Sequence, residues 1–178
     1  MNITENLEIE RKFLIEYPNI KVLDIRRCVC ILQTYLINGN NGSQRRVRRI
    51  TENGTEKYTY TEKVFRSASV REENEFEITI DVYNDLLNQA KSEYKPVEKI
   101  RYLFDYMGQL FELDCYSFSS KFAILELELR SEKQKIVFPD NISIINDVTS
   151  NHEYSNAALA TAGSFPEERR NIQLKEEC

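Results

Sequence analysis

The chain has 178 residues, 41% of them hydrophobic and 30% charged, enough for one domain with a rather polar core. A net charge of −5 argues against broad binding to nucleic acid, whose affinity rests on neutralised phosphates. No apolar run approaches the roughly 18 residues of a membrane-spanning helix, and a charged strand begins at once instead of a signal-peptide apolar region, so a soluble, cytoplasmic protein is expected.

In chain order, eight strands are predicted at about 7–15, 28–37, 44–51, 56–64, 72–80, 97–105, 109–117 and 122–130, from apolar and polar residues that alternate between turn signals. The run from Asn38 to Ser43 reads as a loop, Asn53-Gly54 as a hairpin turn, and Met107-Gly108 as another. After Asp81, a plausible N-cap, Val82, Leu86, Leu87 and Ala90 recur at helical spacing until Pro96 ends any continuation. Shorter helices are expected near 20–27, 132–137 and 153–162. The charged stretch 163–178 reads as a loosely held tail beyond a domain of residues 1–162. The fold class is α+β, mainly an antiparallel β meander.

The cysteines Cys28, Cys30, Cys115 and Cys178 lack CxxC spacing and read as reduced cytosolic thiols. The single histidine, His152, cannot build a His-rich zinc site. A metal would therefore be held by carboxylates, which favour magnesium, manganese or calcium.

Residues two apart share a face of a strand. Glu8, Glu10 and Lys12 stand opposite Ile9 and Phe13, and Arg46 and Arg48 flank Val47. The pattern returns with Glu75 and Glu77 around Phe76, Lys99 and Arg101 around Ile100, Glu112 and Asp114 around Leu113, and Glu126 and Glu128 among Leu125, Leu127 and Leu129. In any one strand this is the pattern of a sheet with one face in water. Across the set, a second arrangement fits: eight strands closed into a barrel, apolar faces covered from outside and charged faces lining the lumen. Lys63 and Arg71 would add to its bases, and Glu73 to its acids. Buried ions of both signs need pairing or a ligand, and the mixture suits a polyanion that arrives with a divalent metal. Arginine forks and lysine ammoniums would hold phosphate oxygens, since the chain has no glycine-rich phosphate loop.

The segment Glu8-Ile9-Glu10-Arg11-Lys12-Phe13-Leu14 resembles the ExExK signature of the CYTH superfamily, the triphosphate tunnel metalloenzymes, in the form common among small bacterial members. The likeness continues in order through Gln33-Thr34-Tyr35-Leu36, Arg46-Val47-Arg48, Lys63, Glu75-Phe76-Glu77-Ile78, Val97 to Tyr102, Phe111 to Asp114, Leu125 to Glu128, Asp147 to Thr149 and Tyr154 to Asn156. It departs in the longer loop Asn38–Ser43 and in the spacing of Arg71 from Glu75.

The resemblance implies an eight-stranded closed antiparallel tunnel with flanking helices that binds a triphosphate and Mg2+ or Mn2+. It marks Glu8, Glu10, Glu126 and Glu128 as the principal metal set, with Glu75, Glu77 and Asp114 available to a second ion. Lys12, Arg46, Arg48, Lys63, Lys99 and Arg101 form the implied phosphate clamp, and Tyr35 would donate to a phosphate oxygen or orient a reactive group. Lys12, Tyr35, Glu75 and Glu77 are the implied catalytic residues. The implied reaction is hydrolysis of inorganic triphosphate to pyrophosphate and phosphate. Nucleoside or thiamine triphosphatase, class IV adenylate cyclase and a noncatalytic polyphosphate- or nucleotide-binding module remain alternatives. The expected partner is the small triphosphate, with neither nucleic acid nor membrane. The sequence leaves the oligomeric state open, a homodimer included.

Overall fold

Alternation along the chain becomes one large antiparallel sheet in the computed structural model, which describes residues 9–65, 71–131 and 133–170. The described residues form nine strands: β1 (Ile9–Glu16), β2 (Ile25–Leu36), β3 (Gln44–Glu52), β4 (Thr55–Phe65), β5 (Arg71–Ile78), β6 (Val97–Tyr106), β7 (Gln109–Tyr116), β8 (Phe122–Leu129) and β9 (Ile144–Asp147). Their order is β5-β4-β3-β2-β6-β7-β8-β1-β9. Asn53-Gly54 and Met107-Gly108 make the two tightest hairpins, with all four residues at positive φ, as type I′ turns require.

Among the described residues the sheet does not close into the expected eight-stranded barrel. A ring would pair β1 with β5, but β9 takes the second edge of β1 over Phe13–Ile15, and Val148 bonds its backbone to Lys12 just beyond. The sheet is therefore a curved trough whose outer strands, β5 and β9, are not paired with each other. The strand β9 escapes the sequence pattern because only four residues long it shows too little alternation to read.

Register puts the odd-numbered faces of β1, β7 and β8 outside. Leu125, Leu127 and Leu129 lie there with Phe13, Ile15, Phe111 and Leu113, under cover of Ile20, Leu23, Ile136, Phe138 and Ile142. Burying each such leucine fully is worth about 1.5–3 kcal/mol. The cover is made by irregular chain where helices were expected. Residues 20–27 hold only the single 3-10 turn Ile20–Val22 before β2 begins, and no described residue of 132–137 is helical. Helix α1 (Ile80–Leu87) covers the other half of the outer face, where Tyr83 joins Leu36, Val47 and Tyr58. Its N-cap is Thr79, whose hydroxyl accepts from the Val82 amide, and Asp81 falls inside the first turn. Phe76, on the edge strand β5, stays 57% exposed.

Helix α2 (Asn156–Ala162) lies within the trough. Leu159 and Ala160 fill one end of it against Leu14, Tyr35, Val97, Tyr116 and Ile124 from the inner faces of five strands. Gly163 ends α2 in the left-handed conformation at φ 65°, a position that favours glycine. The segment expected as a loose tail is anchored at its start. Phe165 has no exposed surface and meets Tyr116, Phe118 and Phe122 edge-on, while Glu167 accepts from Tyr154 and Glu168 from Ser119.

Candidate active site

The inner face of the trough is assembled by register. Lys12 stands opposite Glu126, and Glu126 opposite Glu112, while Glu10 faces Glu128. On the other side of the trough Gln33, Arg48, Thr59 and Glu77 form one row across four strands, and Tyr35, Arg46, Thr61 and Glu75 the next. Between them β6 contributes Lys99 and Arg101, with Arg101 opposite Asp114 of β7. The even-numbered residues of the implied site thus share one face, and Arg45 and Arg49 turn outward, Arg45 to Tyr60 and Gln89 and Arg49 toward Glu56.

A cavity of about 780 Å³ opens along this face. Among the described residues its lining holds six acidic residues (Glu10, Glu73, Asp105, Glu112, Glu126, Glu128) and six basic ones (Lys12, Arg46, Arg48, Lys63, Arg101, Arg130), so both signs of charge face it. Tyr35 and the start of α2, Ser155 to Ala157, complete the inner end.

The cations fall into two groups. Arg101 donates to both oxygens of Asp114 at 2.7 Å and to Glu126 at 2.7 Å, and also pairs with Glu112. These carboxylates outweigh its burial and raise its pKa. Lys12 bridges Glu126 at 2.7 Å and Glu10 at 3.1 Å; burial opposes its charge, but the two carboxylates outweigh it and raise the ammonium pKa. Lys99 is fully buried against Asp114 and the Tyr116 ring. Burial, with Arg101 and Arg48 nearby, lowers its pKa to about 8 despite Asp114. Across the trough, none of the described carboxylate partners of the β3 and β4 cations is buried as Asp114 is. Arg46 pairs with Glu73 at 2.8 Å, Lys63 with the same Glu73 at 2.7 Å, and Arg48 reaches Glu75 at 3.3 Å. Burial and the neighbouring Arg46 lower Arg48 to about 10, still a cation at neutral pH.

Not every implied residue reaches the cavity. Asp114 has no exposed surface, and its oxygens are taken by Lys99 and Arg101, which hold its carboxyl well below the usual range against the cost of burial. Glu75 accepts from Thr61 and Arg48, and Glu77 pairs with Lys57 at 2.8 Å; neither lines the cavity, nor does Lys99. Glu8 lies outside the described residues. Burial raises Tyr35 in spite of Arg46 and Arg48, so its hydroxyl keeps its proton and serves as a donor. The sequence pattern gives no role to Gln33, Thr59 or Thr61, although the parity that selects Arg48 and Lys63 also selects them.

Among the described residues no three acidic, histidine or cysteine side chains converge into a ready cage. The donor chemistry nonetheless fits a hard divalent cation. Glu10 and Glu128 oppose each other as like charges, which destabilises a bare strand pair, and Glu128 makes no ion pair among the described residues.

A solved structure of the hypothetical protein NE1496 is 32% identical, over 89% of this chain and 99% of that one, with a TM-score of 0.61. The chain belongs to the CYTH superfamily. A second structure, of the inorganic triphosphatase NE1496, matches at 29% identity over 89% of this chain and 96% of that one, with a TM-score of 0.60. The PH1819 protein of Pyrococcus horikoshii OT3 shares the fold at 22% identity, over 70% of this chain and 80% of that one, with a TM-score of 0.50. No protein-family model matches the chain, and no curated protein matches it significantly. Among the described residues of this CYTH protein no helix is long and apolar enough to cross a membrane.

Proposed function

We propose that this CYTH protein is a metal-dependent hydrolase of inorganic triphosphate, yielding pyrophosphate and phosphate. The observation that carries the reading is the cavity's mixed lining, six acids and six bases among the described residues, which suits a polyanion together with its divalent counterion. The similar chain described as an inorganic triphosphatase supports the choice of substrate.

Phosphoryl transfer needs chiefly positioning and charge stabilisation. Arg46, Arg48 and Lys63 face the cavity from β3 and β4 and would hold phosphate oxygens from one side. Lys12, which spends two of its three donors on Glu10 and Glu126, keeps one for a phosphate oxygen from the other. Tyr35 adds a neutral donor at the inner end. Mg2+ or Mn2+, when bound by Glu10, Glu126 and Glu128 with Glu8 of the same segment, supplies charge neutralisation and acidifies a water. Burial raises the Glu112 pKa above the usual carboxylate value, with Arg101 opposing and Glu126 and Asp114 adding to it, and Glu112 lines the cavity, where it would accept the proton of the attacking water.

A product assay on inorganic triphosphate, ATP and thiamine triphosphate tests this. The expected result is phosphate and pyrophosphate from inorganic triphosphate at the highest kcat/KM, no cyclic AMP, and loss of turnover in EDTA that magnesium or manganese restores. Cyclic AMP formed from ATP at a comparable rate would identify a cyclase. Inactivity on all three substrates with both metals would leave a binding module.

A further inference from the structure

Two arginines face the cavity in opposite electrostatic settings. Arg101 is surrounded by Asp114, Glu112 and Glu126, which cancel its charge locally. Arg48 is anchored differently: its Nε donates at 2.8 Å to Oε1 of Gln33, a neutral amide with no exposed surface, and its carboxylate contact, Glu75, stands farther off at 3.3 Å.

Around this contact, buried polar atoms lack partners. Gln33 Nε2, Arg46 Nε and Thr59 Oγ1 lie on three neighbouring strands with no hydrogen-bond partner among the described residues, although Gln33, Arg46 and Thr59 are 0%, 7% and 3% exposed. An unsatisfied buried polar atom costs about 1–3 kcal/mol, so three in adjacent rows mark a wall that gains when an anion arrives.

We infer that Gln33 is the positioning residue for Arg48, fixing its guanidinium by a neutral anchor so that its charge stays available to a phosphoryl group. The inference rests on the triphosphate reading of the cavity. A carboxylate in place of the amide would hold the guanidinium equally well and cancel its charge. Charge is the variable that matters, because orientation survives that exchange. Arg48 stands on β3, across the trough from Glu112, Glu126 and Glu128, so its contact is made in ground and transition states alike and its loss appears in KM.

The test is Gln33→Glu and Gln33→Met, each alone and combined with Arg48→Ala, assayed for triphosphate hydrolysis and for triphosphate binding by calorimetry, with thermal melts as a check on folding. Gln33→Glu is expected to raise KM about tenfold with kcat within about twofold, and to leave the melting temperature unchanged or higher. Gln33→Met, which removes the anchor and keeps Arg48 charged, is expected to raise KM less. In the Arg48→Ala background neither substitution is expected to have a further effect. Losses of equal size with and without Arg48, or an unchanged KM in both single variants, overturn the inference while the functional reading stands. A wild-type protein that neither binds nor hydrolyses triphosphate overturns both.

Discussion

Asp114 illustrates how a single buried carboxylate organises its neighbours. It touches no solvent, yet it holds Lys99 and Arg101 side by side on β6. Removing its charge leaves two buried cations short of a partner, so Asp114→Asn is expected to destabilise the fold at pH 7 by about 3 kcal/mol in denaturant titrations. The pH dependence follows from the depressed folded pKa. The stabilisation is complete above the unfolded carboxyl's pKa of about 4 and is lost as pH falls below it, because the unfolded chain then binds a proton that the folded one refuses. The gap between wild type and variant should narrow from pH 4 downward; a constant gap would contradict the ion-pair account. Glu112, two residues away on the same face, differs in being pushed upward and in reaching the cavity. Glu112→Gln is expected to lower kcat on triphosphate about a hundredfold at little change in KM, as loss of a general base does. A normal kcat would remove it from the chemistry.

At the scale of the strand, parity is the operative rule, and β3 gives its sharpest form. Four arginines surround Val47, yet only Arg46 and Arg48 line the cavity, while Arg45 bonds Tyr60 and Gln89 outside. Arg46→Ala and Arg48→Ala are each expected to lower kcat/KM on triphosphate tenfold or more, against about twofold for Arg45→Ala and Arg49→Ala. Equal losses at all four would break the link between register and function. This parity was legible in the sequence, as were the eight longer strands and both positive-φ hairpins, because alternation and Asn-Gly signals are local. What lay beyond the sequence was long-range. Nothing near Asp114 announces that both its oxygens are claimed by Lys99 and Arg101, and nothing in Glu77 shows that Lys57 pairs with it outside the cavity. The ordering of 163–170 depends on Phe165 meeting aromatic side chains from β7 and the β7–β8 connection, some 40 residues or more earlier. Gln33 was visible by parity but unremarkable until its contact with Arg48 could be seen.

For the molecule as a whole, the arrangement of layers is uneven: one outer half is covered by coil, the other by α1, and one end of the inner face is filled by α2 and Phe165. The two walls that hold the charges are joined through β2 and β6 at the middle of the sheet and part company at β5 and β9. In a closed barrel the radius is set by strand number and stagger. Among the described residues no ring of hydrogen bonds fixes the span between Arg46 and Lys12, so the walls are expected to move as a pair of jaws with β2 and β6 as the hinge line. Under the proposed function, a triphosphate with its metal, gripped from both sides, would be the bond that shuts them. Amide hydrogen exchange in β5 and in the first half of β1 should therefore slow on addition of triphosphate and magnesium, with β7 and the buried half of β8 unchanged. Exchange rates in β5 indifferent to ligand would show jaws already locked. If they close as described, the gap acts as a compliant gauge: the ligand's own charge, more than a rigid aperture, decides what is held.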